Sequence, residues 1–307
     1  MNRHLAWPVP VMALALVLAG CSSESGTPEA SSSSSSPAAT ATSEAAPNPL
    51  AEKAGAEYKA YAVQQITELV RLAKVFTDAV RAGNLQAAQD AYAPSREPWE
   101  RIEPLAGLVE EIDGKVDSRV DDFAGVDDPT FTGWHRLEYL LFEKNTTDGG
   151  APFADQLDKD IATLQQQFAT IEVPSLDVAT GAAELIEEVS QGKITGEEDR
   201  YSKTDLWDFD ANLQGSQAAI DKLEPALKQA DPALLGKIDG GFTEIYATLA
   251  PLRKGDGWVL FCTPNDPYSS PRCPEVTVTP QVIDTLKAQL AGLSENVSQV
   301  AGVLGLK

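Results

Sequence analysis

His135 and Glu138 stand three residues apart in Gly133-Trp134-His135-Arg136-Leu137-Glu138-Tyr139, and on a helix that spacing projects both side chains from one face. An imidazole nitrogen and a carboxylate so placed can grip one ion or bond each other. The chain has two histidines, and His135 alone lies beyond the first 20 residues. Catalytic zinc usually draws on two or three histidines or on thiolates, whereas one nitrogen among carboxylates suits a harder cation. The pattern therefore points to iron or calcium ahead of zinc. It also fails the zincin signatures, which require a second histidine at fixed spacing. Leu137, Leu140, Leu141 and Phe142 mark this helix for burial, so the polar pair needs a partner, either a metal or a mutual hydrogen bond.

Three more acidic groupings could join it. Glu100 and Glu103 share a helix face beside Trp99 and Ile102, although a solvated face is the plain alternative. Asp113 to Asp122 is rich in acids but lacks the glycine placement and closing glutamate of an EF-hand, which leaves Asp117 as a contributor to a composite site. Ile194 to Phe209 gathers Glu197, Glu198, Arg200, Tyr201 and Trp207 ahead of an apolar stripe, with Thr204 as a candidate cap. An ion-paired helix start accounts for most of that strip without any function.

The elements that must position these residues are helical. Tyr58, Tyr61, Ile66, Leu69, Leu72, Val75, Phe76 and Val80 recur at helical spacing until Gly83-Asn84, and further helices are expected near 84–112, 130–144, 151–170, 177–191, 204–229, 232–253 and 279–304. Pro94, Pro98 and Pro104 predict a bent or interrupted second segment. Val276-Thr277-Val278-Thr279 is the best strand candidate. The predicted class is all-α, and eight such helices would fill two four-helix bundles, a possible duplication with its break between about 171 and 203.

Residues 1–20 read as a signal peptide, with Arg3 before the apolar run Leu5 to Ala19. Leu18-Ala19-Gly20-Cys21 resembles the lipobox of bacterial lipoproteins, which implies lipidation of Cys21 and anchoring to a membrane surface. Residues 21–49, rich in Ser, Ala and Pro, cannot bury a core and read as a tether reaching on the order of 30 Å. Residues 50–307 form the folded part. The formal charge of −22 repels nucleic acid and concentrates cations, although acidic surfaces also simply keep exported proteins soluble. Cys262 and Cys273 bracket a turn-rich stretch, and export favours a disulfide between them over free thiols or half a metal site.

Trp99-Glu100-Arg101-Ile102-Glu103-Pro104, the Gly133 to Tyr139 element, and Gly196-Glu197-Glu198-Asp199-Arg200-Tyr201-Ser202 running on to Asp205-Leu206-Trp207-Asp208-Phe209 together resemble the EfeO proteins of the imelysin superfamily. The resemblance covers essentially all of 50–307. It implies two four-helix bundles and an extracytoplasmic protein, not an enzyme, that captures iron, ferrous or ferric, and delivers it to an iron permease alongside a haem-containing peroxidase. Zinc, calcium and copper rank behind iron as cargo. Matched residue by residue, it implies Glu100, Glu103, His135 and Glu138 as ligands, with Asp117 and Glu197 or Glu198 as supporting acids. Many relatives carry an N-terminal cupredoxin domain, which the serine-rich segment here does not resemble. Relatives also often have His where Lys203 stands, so no ligand role is expected there. Two other readings are a metal-dependent peptidase, after the activity that names the superfamily, and a calcium-bridged polysaccharide-binding protein.

Overall fold

A computed structural model describes residues 48–307; the expected signal segment, Cys21 and nearly all of the tether lie outside the described residues. Helix α1 (Pro49–Arg81) starts where the Asn48 side chain accepts from the Leu50 amide and Pro49 presets the first turn. Its buried stripe is Tyr58, Ala62, Ile66, Leu69, Ala73, Phe76 and Val80, the period of an amphipathic helix. Helix α2 (Leu85–Glu100) is capped by Asn84 and contains Pro94 and Pro98. It stops at Glu100, and a 3-10 turn over Glu103–Leu108, with Pro104 in its first turn, leads to α3 (Glu110–Val116). The prolines thus divide the segment expected over 84–112 into three pieces.

Helix α4 (Gly133–Glu138) runs straight into a π turn over Tyr139–Glu143, followed by α5 (Ala151–Thr170). Gly133 is fixed by geometry: its φ is +78°, and a Cβ there would stand 2.2 Å from the Val116 carbonyl oxygen. The second half comprises α6 (Ser175–Gln191), α7 (Asp205–Ala230), α8 (Pro232–Leu249), α9 (Pro280–Val297) and the short α10 (Val300–Leu304).

Helices α6, α7, α8 and α9 each pack on the next, and α9 returns to α6, so this half closes as a four-helix ring. The first half is built differently, from α1, α2 and α5 with the short α3 and α4 against α5. Helix α1 also packs on α6 and α7, joining the halves through one continuous core. The class is all-α. No helix among the described residues is long and apolar enough to cross a membrane.

Two local expectations are corrected. Val276 to Thr279 is not a strand: the amides of Thr277 and Val278 both donate to the Cys262 carbonyl, which folds the segment onto the loop instead of a sheet. The strands among the described residues are the pair Arg253–Lys254 and Gly257–Trp258, at the end of a segment expected to be helical, where the chain turns at Gly255. Cys262 and Cys273 are bonded. Their loop rests on the segment before α7, with Arg272 Nε donating to the Ser202 carbonyl at 3.0 Å and the Phe261 amide to that of Lys203 at 2.8 Å.

Candidate metal centre

Five pieces of chain converge at the junction of the two halves. The end of α2 supplies Arg96 and Glu100, the following turn Glu103, the end of α3 Asp117, and α4 His135 and Glu138. The stretch from the end of α6 into α7 supplies Lys193, Glu198, Asp199, Asp208 and Asn212. Glu100, Glu138, Asp199, Asp208, Arg96 and Asn212 have no exposure at all, and His135 has 2%. So many ionisable groups are taken out of water only where they compensate one another.

Arg96 is the hub of that compensation. Its Nε donates to Asp208 at 3.0 Å, its two terminal nitrogens to Glu100 at 2.5 Å, Glu198 at 3.1 Å and Asp117, and its plane lies 5.7 Å from the Trp134 ring. The planar fork of a guanidinium suits this many-sided carboxylate contact. Lys193 Nζ forms a second hub, 2.9 Å from Glu100 and 2.8 Å from Glu103. Asn212 Nδ2 donates to the same two carboxylates at 2.9 and 2.7 Å.

His135 is held by one nitrogen and open at the other. Nδ1 lies 3.0 Å from Glu138 Oε2, while Glu138 Oε1 accepts from the amides of Tyr201 and Ser202, both at 2.8 Å. Glu138 thus orients the ring through one oxygen and is itself fixed through the other, and with His135 and Asp199 it also forms a group whose ligand atoms lie close enough to hold one ion. Nε2 is buried and has no hydrogen-bond partner among the described residues. It stands 3.6 Å from both Asp117 Oδ1 and Glu198 Oε1, too far for hydrogen bonds and close enough for all three to ligate one ion. Trp99 Nε1 orients Asp117 at 2.9 Å, and Arg119 reaches Glu198 Oε2 at 2.5 Å.

Charge sets the protonation of the centre. Burial and Arg96 oppose charging of His135, but the Asp117, Glu138 and Glu198 carboxylates outweigh them and raise it well above the usual imidazole range. Burial likewise opposes ionisation of Glu198, yet Lys193, His135 and Arg119 hold it well below the usual carboxylate range. Asp117 is lowered against its burial by Arg96 and His135. Asp208 goes the other way, raised by burial and by Asp199, Glu100 and Glu198 more than Arg96 lowers it. Glu103 is raised by burial and by Glu100 in excess of the opposing effect of Lys193. The site thus holds both displaceable protons and stripped carboxylates, the chemistry expected where a cation competes with protons.

Glu100, Glu103, Asp117, His135, Glu138 and Glu198 are brought together. Glu197 is not: it faces outward, 34% exposed, 3.7 Å from Arg119. Thr204 stands at the start of α7, but its hydroxyl donates to Asp199 instead of capping the helix. Sequence reasoning passed over Asp199 and Asp208, which meet His135 and Glu100 in groups able to hold an ion, and the cations Arg96 and Lys193. Only Arg96, four residues before Glu100, carried a readable signal. A cleft of about 310 Å³ leads in from solvent between Asp113, Arg119, Glu184 and Glu188, and reaches Glu103, Asp117 and Glu198.

The family model for imelysin, Peptidase_M75, matches residues 54–299. Iron uptake system component EfeO of Escherichia coli (strain K12) is 44% identical over 250 residues, 81% of this chain and 63% of that protein. The proteins of the same name from E. coli O1:K1 / APEC, at 45%, and Shigella flexneri, at 44%, match over the same shares. The chain spans 63% of the length of these relatives. The family match takes in every residue of the buried centre and nearly all of both helical halves, and on that ground the chain belongs to the imelysin family.

Proposed function

We propose that this protein captures iron outside the cytoplasm and passes it to a membrane permease, as a component of an iron uptake system held to the membrane through a lipid on Cys21. The observation that carries the reading is His135 Nε2, buried, without a hydrogen-bond partner, and equidistant from the Asp117 and Glu198 carboxylates. One nitrogen and several oxygens suit ferrous or ferric iron better than zinc or copper. The similarity to proteins named as iron uptake components supports the same cargo. Asp117, His135 and Glu198 hold the ion; Glu138 orients the ring; Glu100 and Glu103 complete the carboxylate field. A haem-containing peroxidase working beside the permease belongs to the same proposal.

Iron titration of the purified chain by calorimetry, beside zinc, calcium and copper, tests it. Tight iron binding that His135→Ala abolishes is expected. An equal response to calcium, or no iron binding, would sink the reading. The role is cargo binding and not catalysis, so no peptide cleavage is expected with or without a chelator.

A further inference from the structure

Lys193 is buried to 3% exposure, and its ammonium lies among carboxylate oxygens. Nζ lies 2.9 Å from Glu100 Oε2, 2.8 and 3.0 Å from the two Glu103 oxygens and 3.8 Å from Glu198 Oε1. These are the neighbours a hard cation would choose. Asn212 shares the Glu100 and Glu103 acceptors and also donates to the Glu100 carbonyl at 3.0 Å. Its Nδ2 donates to the same carboxylates, while its fully buried Oδ1 has no hydrogen-bond partner among the described residues. Glu100, Glu103 and Asp117 also present oxygens close enough together to hold one ion.

The two buried cations differ in how they are held. Arg96 is fixed by four carboxylates and an indole ring from different elements. Lys193 hangs by one flexible stem from a short turn between Gly192 and Gly196, the latter at φ +83°. Its pocket adjoins the acidic cleft, where Glu188, little more than one helical turn earlier, offers a second place for the ammonium.

We infer that Lys193 is a tethered counter-ion that fills a second cation position in the metal-free protein and swings out toward Glu188 when the cargo ion enters. This rests on the iron reading above and extends it. An ammonium left beside a multiply charged ion would repel it, and an ammonium that withdraws carries positive charge out as the ion carries it in. The same residue then assists hand-off, because its return to Glu100 and Glu103 brings positive charge back beside Glu198, which the ion shares. Lys193 is a positioning and affinity-setting residue, and it bonds no cargo.

Acylation of the full wild-type chain with an activated acetate ester, read by peptide mass spectrometry, tests this without any substitution. The chain is loaded with ferrous sulfate under argon or ferric citrate in air, and exposed Lys74 is the internal reference. Lys193 labelling should rise about tenfold or more on loading, as for a group moved from a protected to an open state, while Lys74 stays constant. Calorimetry on Lys193→Met, which keeps the stem and removes the charge, should show iron bound about tenfold more tightly, the bound competitor having been removed. Iron binding with Lys193 still protected, or a Lys193→Met chain that binds no more tightly than wild type, overturns the counter-ion and leaves the iron reading standing. A wild-type chain that binds no iron overturns both.

Discussion

Arg96→Leu removes the cation on which Asp117, Glu100, Glu198 and Asp208 converge, while roughly preserving apolar volume against Trp134. The carboxylates left behind have little access to water, since Glu100 and Asp208 are fully buried and the Asp117 and Glu198 side chains, at the inner end of the cleft, are only 7% and 4% exposed. Breaking a buried ionic network by deleting one partner costs about 3–5 kcal/mol. In a domain of this size, 1 kcal/mol moves the midpoint by roughly 2–4 °C, so a fall of roughly 6–20 °C is expected in metal-free protein near neutral pH. The loss should shrink as the pH falls. Without the guanidinium, these acids take up protons at higher pH than in the wild type, which neutralises the uncompensated charge. Thermal and urea unfolding with chelator present, at several pH values, measure both effects. Arg71, exposed on α1 and paired only with Glu68, is the control and should leave the midpoint unchanged as Ala. A loss below about 1 kcal/mol for Arg96→Leu, or one independent of pH, would refute the view of Arg96 as the counter-charge of the centre.

Gly133→Ala should cost more than about 2 kcal/mol and abolish iron binding, because the positive φ and the Val116 carbonyl at 2.2 Å leave no room for a methyl; an unchanged calorimetric titration would contradict this. Asp113, facing the cleft, is pushed up to about 7 by burial and by Asp117, so its stability contribution falls as the pH rises from near its unfolded value of 3.8 through about 7. Asp113→Asn should therefore stabilise the metal-free chain by about 2 kcal/mol at pH 8 and by little near pH 4, read from paired urea curves, once its partial exposure is discounted. Replacing Cys262 and Cys273 together by Ser should cost about 3 kcal/mol in urea and weaken iron binding, because their loop steadies the Ser202 and Lys203 carbonyls beside the amides that hold Glu138; unchanged affinity would detach the loop from the site.

What could be read from the chain follows from the range of each interaction. Helix existence rested on local periodicity, and it was legible: the stripe from Tyr58 to Val80 is a property of neighbouring residues. The interruption of the segment expected near 84–112 and the Gly83 terminus were equally local, although the stop at Glu100 itself was not read. Val276 to Thr279 misled because β-branched alternation reports only that a segment fits an extended surface, and here the partner was one loop carbonyl. Of the site, His135 and Glu138 were visible through their spacing on one helix, and the other acids only through the resemblance of their motifs, since Glu103 lies on a separate turn from Glu100. Glu197 and Glu198 were indistinguishable, since adjacent residues at a turn separate into inward and outward only when the neighbouring elements are placed.

By itself, then, the sequence determined the helices, their apolar faces, and the presence of one imidazole in a field of carboxylates. Only the tertiary structure decided which acids lie in water and which face one another. It bonded Glu138 to His135, left Nε2 without a hydrogen-bond partner between Asp117 and Glu198, and drew Arg96 and Lys193 into the centre as its counter-charges. The physical reason is desolvation. Whether an ionisable side chain is a surface charge or a component of a metal site depends on its distance from water and from opposite charge, and residues a hundred positions apart along the chain set both.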